Sequence, residues 1–232
     1  MNIHRIAILP SIAAALLLPS CASKFSPAQR AELSKVAVAQ TIIDPEAYEE
    51  PYAGDIQARN AVQSSAGASG GLLGSLIGLG VGGAIAGTQN SNFKSGNKSY
   101  FPAVQKNTPS DLTTILNSNL KNSLKKDAFF KPRIADQAGA TVTSEISCHR
   151  LIRMGKNDKG DLLFSPEIHA TIQLKNAAGK KLAGGDYIGS GVSALVISEY
   201  AASPPKTRQA FTTAVNNAIG QFMSDLAIKT AE

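Results

Sequence analysis

Hydrophobic positions in the second half of the chain recur with a helical period in two places. From Thr108 onward they recur every three or four residues, which predicts an amphipathic helix with Thr108 as its cap and Pro109 in its first turn. Its apolar stripe consists of Leu112, Ile115, Leu116, Leu120 and Leu124. A second helix is predicted to begin at Ser203 and Pro204. Its stripe consists of Phe211, Val215, Ala218, Ile219, Phe222, Met223 and Leu226.

Between these helices the period changes to two, which predicts strands. The first is expected over residues 140–154, the second over 162–174, and a glycine-rich third over 181–192. On the first strand one face is predicted to carry Val142, Ile146, Cys148, Ile152 and Met154. The turn sequences NDKGD and NAAGK separate the three strands and favour an antiparallel meander.

The first half of the chain contains fewer regular patterns. Residues 34–45 are predicted to form a first strand, closed by Asp44 and Pro45. Residues 46–107 are predicted to be loop around an apolar insertion, with extended pieces near Tyr100–Val104. The main body is expected over residues 108–232. Since two helical stripes and one sheet face must all be buried, we expect an α+β fold, a two-layer sandwich of two helices on a mainly antiparallel sheet of three or four strands.

The amino-terminal residues have the layout of a secretory signal. Arg5 precedes an apolar run, Ile6 to Leu18, that is shorter than the ~20 residues a membrane-spanning helix requires. The run ends in LPSC, residues 18–21, which resembles the lipobox of bacterial lipoproteins. The resemblance implies that residues 1–20 are a signal peptide and that Cys21 is acylated on its sulfur and on its new amino group. Residues 21–33 would then be a lipid-anchored tether, in which SKFSPAQRAEL is predicted to be a tether or a short helix.

The lipobox also predicts where the protein resides. Two or three acyl chains hold a protein on a membrane firmly, whereas one chain does not. In Gram-negative lipoproteins a residue other than aspartate after the cysteine, here Ala22, is associated with export to the outer membrane. We therefore expect an outer-membrane lipoprotein facing the periplasm. The order of elements over residues 34–228 is also similar to that of LptE-like and YajG-like lipoproteins and CsgG-related domains.

An uncharged segment, AGASGGLLGSLIGLGVGGAIAG, occupies residues 66–87. Its glycines recur every four positions at Gly70, Gly74, Gly78 and Gly82, so a helix would carry them on one smooth face suited to close helix packing in lipid. It resembles the glycine-zipper segments of Gram-negative envelope lipoproteins. Each glycine also costs a helix about 1 kcal/mol relative to alanine. Three interpretations stay open: a membrane-associated or oligomerising helix, a hairpin packed on the domain, and a flexible linker.

Residue chemistry predicts no catalytic residue, metal site or cofactor. With Cys21 acylated, Cys148 is the remaining thiol, and its apolar alternation partners predict a buried filler. His149 and His169 lack metal-ligand spacing to a cysteine or carboxylate, and Glu49 and Glu50 lack a partner carboxylate for acid–base chemistry. The stretch GGDYIGSGVS matches neither a phosphate-binding loop nor a serine elbow.

The charge distribution restricts the partners. The net charge is +6, and from Phe101 to Glu232 there are sixteen basic and eleven acidic residues, with no basic stripe interleaved with aromatics. We therefore expect no nucleic acid, and a partner that is another envelope protein or a second copy. The predicted function is a non-catalytic binding or assembly module of the cell envelope. The alternative is a membrane-inserting oligomer built through residues 66–87.

Overall fold

The structure, a computed structural model, describes residues 24–55 and 97–231, with side chains over 24–51 and 97–231. The strands are β1 Val36–Val38, β2 Ile42–Ile43, β3 Tyr52–Asp55, β4 Ala140–Lys156, β5 Leu162–Lys175, β6 Lys181–Ser190 and β7 Leu195–Val196. The helices are α1 Pro27–Glu32, α2 Phe101–Asn107, α3 Leu112–Lys126, α4 Ile197–Ala202 and α5 Pro204–Thr230, with a short 3-10 turn at Lys98–Tyr100.

All seven strands belong to one mixed sheet that is four rows wide. The first row contains β1, β2 and β3, which follow one another along β4 and pair with it in parallel. The long strands β4 and β5 are antiparallel and form the second and third rows. The fourth row contains β6 and β7, which pair antiparallel with different parts of β5. The number of rows agrees with the three or four strands expected, but both outer rows are interrupted. Strand β3 lies in a segment predicted to be loop, and β7 was not predicted.

The helices cover one face of this sheet. The predicted stripe of α3 is buried along its whole length, and that of α5 is buried apart from Met223, which packs against the core from a half-buried position. Helix α5 crosses β5 and β6, while α3 packs beside α5 and contacts β1. The predicted fold class, α+β, is confirmed.

One segment expected to be loop or extended is helical. Helix α2 buries Phe101 and Val104, and Pro102 fits its first turn because a proline there loses no helical hydrogen bond. Thr108 ends α2 and does not cap the next helix, so that prediction was wrong. Helix α2 ends there because a proline excludes the residue before it from the helical region, and Thr108 has φ −63° and ψ 132°. Helix α3 starts only at Leu112, after Asp111, so the prediction that Pro109 lies in its first turn was also wrong.

A bulge in β4 changes which residues share a face. Ile146 lies opposite Ala170 of β5, but Cys148 lies opposite His169, so the register shifts between Ile146 and Cys148. Since side chains alternate between faces, Cys148 and Ile152 lie on the face opposite to Val142 and Ile146. The prediction that these residues of β4 share one face was therefore wrong beyond residue 146.

Candidate functional site

The bulge brings a group of charged side chains together on the face of the sheet that α3 and α5 do not cover. Arg150 of β4 lies directly opposite Glu167 of β5. Its Nε and Nη2 atoms donate hydrogen bonds to Glu167 Oε1 at 3.1 and 3.0 Å. Its Nη1 atom forms an ion pair with Glu49, which precedes β3 in the first row. His169 Nε2 lies 2.8 Å from the same Glu167 oxygen. We call these four residues the charge cluster.

The centre of the charge cluster is buried and its margins reach solvent. The side chains of Arg150 and Glu167 are 9% and 2% exposed, against 47% for Glu49. Burial opposes the charge on Arg150, but the neighbouring Cys148, Glu167 and Glu49 outweigh it and hold the pKa of Arg150 above its ordinary value. The guanidinium therefore stays charged and neutralises the carboxylates on both sides of it.

Cys148 lies beside the charge cluster on the same face. Burial raises the pKa of its thiol to about 12, so the thiolate is scarce at neutral pH and the sulfur is a poor nucleophile. The expectation that Cys148 is buried is confirmed. His169 has a carboxylate neighbour that was not predicted, because its Nε2 atom contacts Glu167, two residues earlier in β5. Glu49 and Glu167 each pair with Arg150, which lies between them.

His149 and Arg150 are neighbours in β4 but lie on opposite faces. The ring of His149 lies on the helix side, between Tyr48 and Phe211, with centroid distances of 5.6 and 6.3 Å. Burial lowers the pKa of His149 below its ordinary value, and Glu49 opposes that shift only in part. Its buried Nδ1 atom has no hydrogen-bond partner. His149 is thus a neutral ring in an apolar layer.

The residues of the charge cluster do not form a metal centre. Within residues 24–51 and 97–231, no group of three metal-ligating side chains is present. Sequence reasoning missed Arg150 and Glu167, because neither residue belongs to a motif. Each of the two strands has a charged residue next to a buried apolar one. Whether these charged residues meet depends on the register between the strands, which the sequence pattern does not give.

A second feature lies where the described chain begins. The backbone nitrogen of Phe25 donates to the carbonyl oxygen of Lys229 in the last turn of α5 at 2.8 Å. Phe25 is 4% exposed, and the centre of its ring lies 6.3 Å from that of Phe129. Immediately after Phe25, Ser26 and Gln29 cap α1 reciprocally, with bonds of 2.9 and 3.2 Å. The chain is therefore fixed to the body from Phe25 onward.

Two arginines complete this packing. Arg30 Nη2 donates to the carbonyl oxygens of Thr230 and Ala231 at 3.1 and 3.0 Å, at the end of α5 where a positive charge is favoured by the helix dipole. The guanidinium of Arg133 lies 4.0 Å from the centre of the Phe129 ring. Of the two alternatives for this segment, a tether or a short helix, the structure has the helix, and the segment also contributes the buried Phe25 to the fold.

The sequence-predicted functional residues lie outside the described residues. These are Cys21 and the four glycines Gly70, Gly74, Gly78 and Gly82. Among the helices that the structure does describe, none combines the length and the apolar character needed to span a bilayer.

Comparisons with known proteins add little to this geometry. No family model matches the chain, and no curated protein matches it. Among solved structures the chain is similar to protein XCC0632 from Xanthomonas campestris, whose family model is DUF330. The sequences are 14% identical, the match covers 47% of this chain and 62% of that chain, and the TM-score is 0.29. The chain thus spans less than two thirds of that protein, and a likeness of this size defines neither its fold nor its function.

Proposed function

We propose that this protein is a lipid-anchored lipoprotein of the Gram-negative outer membrane that faces the periplasm and acts without catalysis, by binding or assembling other envelope components. The observation that carries the proposal is the leader of residues 1–20, whose apolar run ends in Leu18, Pro19, Ser20 and Cys21. A run of this length suits export and cleavage better than it suits spanning a bilayer.

The position of the folded body supports this proposal. The first buried side chain among the described residues is Phe25, four positions after Cys21. Cleavage before Cys21 would therefore leave every described element in the mature chain. Acyl chains contribute about 0.8 kcal/mol per buried methylene, so two or three of them hold such a body without a spanning segment.

The chemistry of the described side chains favours binding over catalysis. Cys148 is buried with a raised pKa, and Arg150 is already neutralised by Glu49 and Glu167. The charge cluster joins the first, second and third rows of the sheet, and its margins, the exposed Glu49 and the half-buried His169, are suited to polar recognition.

The four-residue glycine period favours a second candidate function. A helix over residues 66–87 would have one smooth face made by Gly70, Gly74, Gly78 and Gly82, and would be about as long as a bilayer is thick. In this alternative the acylated protein forms an oligomer that inserts into the membrane.

Mass spectrometry of the protein purified from a Gram-negative envelope tests the proposal. We expect a mature chain that starts at Cys21 and is heavier by its acyl groups. Cys21→Ser should keep the leader and leave the outer-membrane fraction, whereas the matched control Cys148→Ser should be acylated and sorted like the wild type. An unmodified start in the wild-type protein would overturn the proposal.

Crosslinking separates the two candidate functions. If residues 66–87 form the contact between copies, Gly74→Leu together with Gly78→Leu should abolish crosslinked oligomers of the acylated protein, because the larger side chains hold the helices apart. Oligomers that persist in this variant would exclude the insertion model and leave the anchored binding module in place.

A further inference from the structure

The body has two ends that lie at opposite limits of the long strands. We define the Phe25 end as residues 24–36, 125–140, 175–181 and 226–231, and the Tyr200 end as residues 97–112, 153–164 and 191–208. Strand β5 has 14 residues and runs from one end to the other. At ~3.4 Å per residue the ends are about 45 Å apart.

Charge is distributed unequally between these ends. The Phe25 end contains eleven basic residues and three acidic ones. The basic residues are Lys24, Arg30, Lys35, Lys125, Lys126, Lys131, Arg133, Lys175, Lys180, Lys181 and Lys229. The Tyr200 end contains seven basic and four acidic residues. The excess positive charge of the body is therefore concentrated where the described chain begins.

Ion pairs offset part of the charge at both ends. At the Tyr200 end, Arg208 donates to Asp111 at 2.8 Å and Lys206 donates to Glu199 at 2.8 Å. At the Phe25 end, Asp136 pairs with Lys121 at 3.0 Å. Lys126, Lys131 and Lys180 of this end are exposed and come from three separate segments, the end of α3, the turn after it and the β5–β6 turn. They form a broad basic surface.

The distance to Cys21 decides what this surface contacts. Four residue steps join Cys21 to the buried Phe25, and an extended chain spans at most ~3.6 Å per residue, so the two are no more than about 14 Å apart. If acyl chains on Cys21 lie in the bilayer, Phe25 is held within about 14 Å of that residue. This distance brings the Phe25 end close to the lipid headgroups, whose field extends about 8 Å into physiological salt.

We propose that the Phe25 end is a docking surface for the anionic headgroups of the membrane that holds the acyl chains, so that the Tyr200 end projects away from the bilayer. This inference rests on the proposed acylation of Cys21. A basic residue near an anionic surface strengthens binding by roughly fivefold. Three exposed lysines should therefore strengthen the surface contact on the order of a hundredfold.

Two turns of the same construction provide matched probe positions. In each, an asparagine side chain accepts hydrogen bonds from two backbone nitrogens, and a glycine with positive φ follows. Asn157 Oδ1 accepts from Lys159 and Asp161 at 3.0 and 2.9 Å, at the Tyr200 end. Asn176 Oδ1 accepts from Ala178 and Lys180 at 3.1 and 2.9 Å, at the Phe25 end. Lys159 and Ala178 are exposed and occupy equivalent positions.

Because the chain contains no tryptophan, one introduced tryptophan reports its own position. The acylated proteins with Ala178→Trp or Lys159→Trp are placed in phosphatidylethanolamine–phosphatidylglycerol vesicles whose lipids carry bromine near the headgroup. We expect bromine to quench the tryptophan at 178 and to leave that at 159 unaffected. Equal quenching, or stronger quenching at 159, would overturn the docking surface while the anchor stands.

Charge reversal tests the contribution of the lysines. In the Ala178→Trp protein, Lys126→Glu together with Lys131→Glu and Lys180→Glu should remove most of the quenching, although the acylated protein stays with the vesicles. The matched control at the Tyr200 end is the triple variant Lys156→Glu, Lys159→Glu and Lys206→Glu. This variant should preserve the quenching. Undiminished quenching in the first triple variant would refute the electrostatic contact. An unmodified Cys21 would instead overturn the proposed function, and this inference with it.

Discussion

The two faces of the sheet are held by different forces. On the helix side, apolar side chains of β4 and β5 pack against α3 and α5, and even His149 is held neutral there. On the opposite face, Arg150 stays charged because Glu49 and Glu167 lie beside it. His149 and Arg150 are adjacent in the chain but lie on opposite faces of the sheet. Whether each side chain carries a charge therefore depends on the face that it occupies.

The helix side is defined by the close approach of helix α5 to strand β6. A Cβ atom on Gly189 would lie 1.9 Å from the carbonyl oxygen of Ala214 in α5, so only glycine allows the helix to lie this close to β6. On the opposite face the decisive feature is pairing across three rows of the sheet. Packing on the helix side thus depends on the steric fit between α5 and β6. The charge cluster instead depends on the register of the strands and on the position of Glu49 in the first row.

The largest expected effect comes from breaking the charge cluster. Arg150→Met should lower the free energy of unfolding by about 3–5 kcal/mol, because Glu167 then lacks a buried counter-charge. Urea denaturation measures the change. Arg150→Met combined with Glu167→Met should recover most of the loss, since both charges are gone.

An exposed ion pair provides the control for this prediction. Arg208→Met removes the partner of Asp111 at the surface and should lower the free energy of unfolding far less than Arg150→Met does, because solvent screens this pair. If Arg150→Met cost no more than Arg208→Met, the contrast between the two faces would be wrong, because the charge cluster would then behave like a solvent-exposed ion pair.

A smaller effect is expected from the helix side. Gly189→Ala should lower the free energy of unfolding by about 2–3 kcal/mol, because the new methyl group displaces the backbone of α5. Gly185→Ala, in the same strand, is the matched control. A Cβ there meets no atom within 4 Å, and the substitution should be neutral or raise stability by up to about 1 kcal/mol. Thermal unfolding of the two variants measures the difference, and equal losses would contradict the close approach.

The smallest effect concerns pH. The pKa of His149 is lowered from 6.5 by burial, so the unfolded chain takes up a proton first as the pH falls. The stability from the neutral ring is complete above pH 6.5 and is lost as the pH falls from there toward the folded pKa. His149→Phe should therefore lose less stability than the wild type between neutral pH and about pH 5. Unfolding curves over this interval measure the slope, and identical slopes would show that His149 is not the titrating group.

Local periodicity was sufficient for some elements and failed for others. The stripes from Leu112 to Leu124 and from Phe211 to Leu226 were predicted correctly, because side chains three and four positions apart share a helix face wherever the helix packs. Helix α2 was missed, because a seven-residue helix with two buried side chains has too little pattern to recognise.

The charge cluster shows why the remainder was not predictable. Strict alternation placed Cys148 with Val142 and Ile146, and one extra residue in β4 reversed that assignment. Nothing local to β4 specifies the extra residue, because it is defined by pairing with β5. Glu49 lies one hundred and one positions from Arg150 along the chain, so their contact depends on the parallel row formed by the first half.

The sequence by itself determined the fold class, the two long helices, the three strands of the meander and the turns between them, because each follows from a repeat or a turn motif within a few neighbouring residues. It also supplied the leader and the lipobox-like LPSC on which the proposed anchoring rests. Only the tertiary structure decided the face that each residue of β4 occupies, the pairing of Arg150 with Glu49 and Glu167, and the concentration of basic residues at the Phe25 end. These features join segments far apart in the chain, and their free energies depend on distance and burial in the folded state.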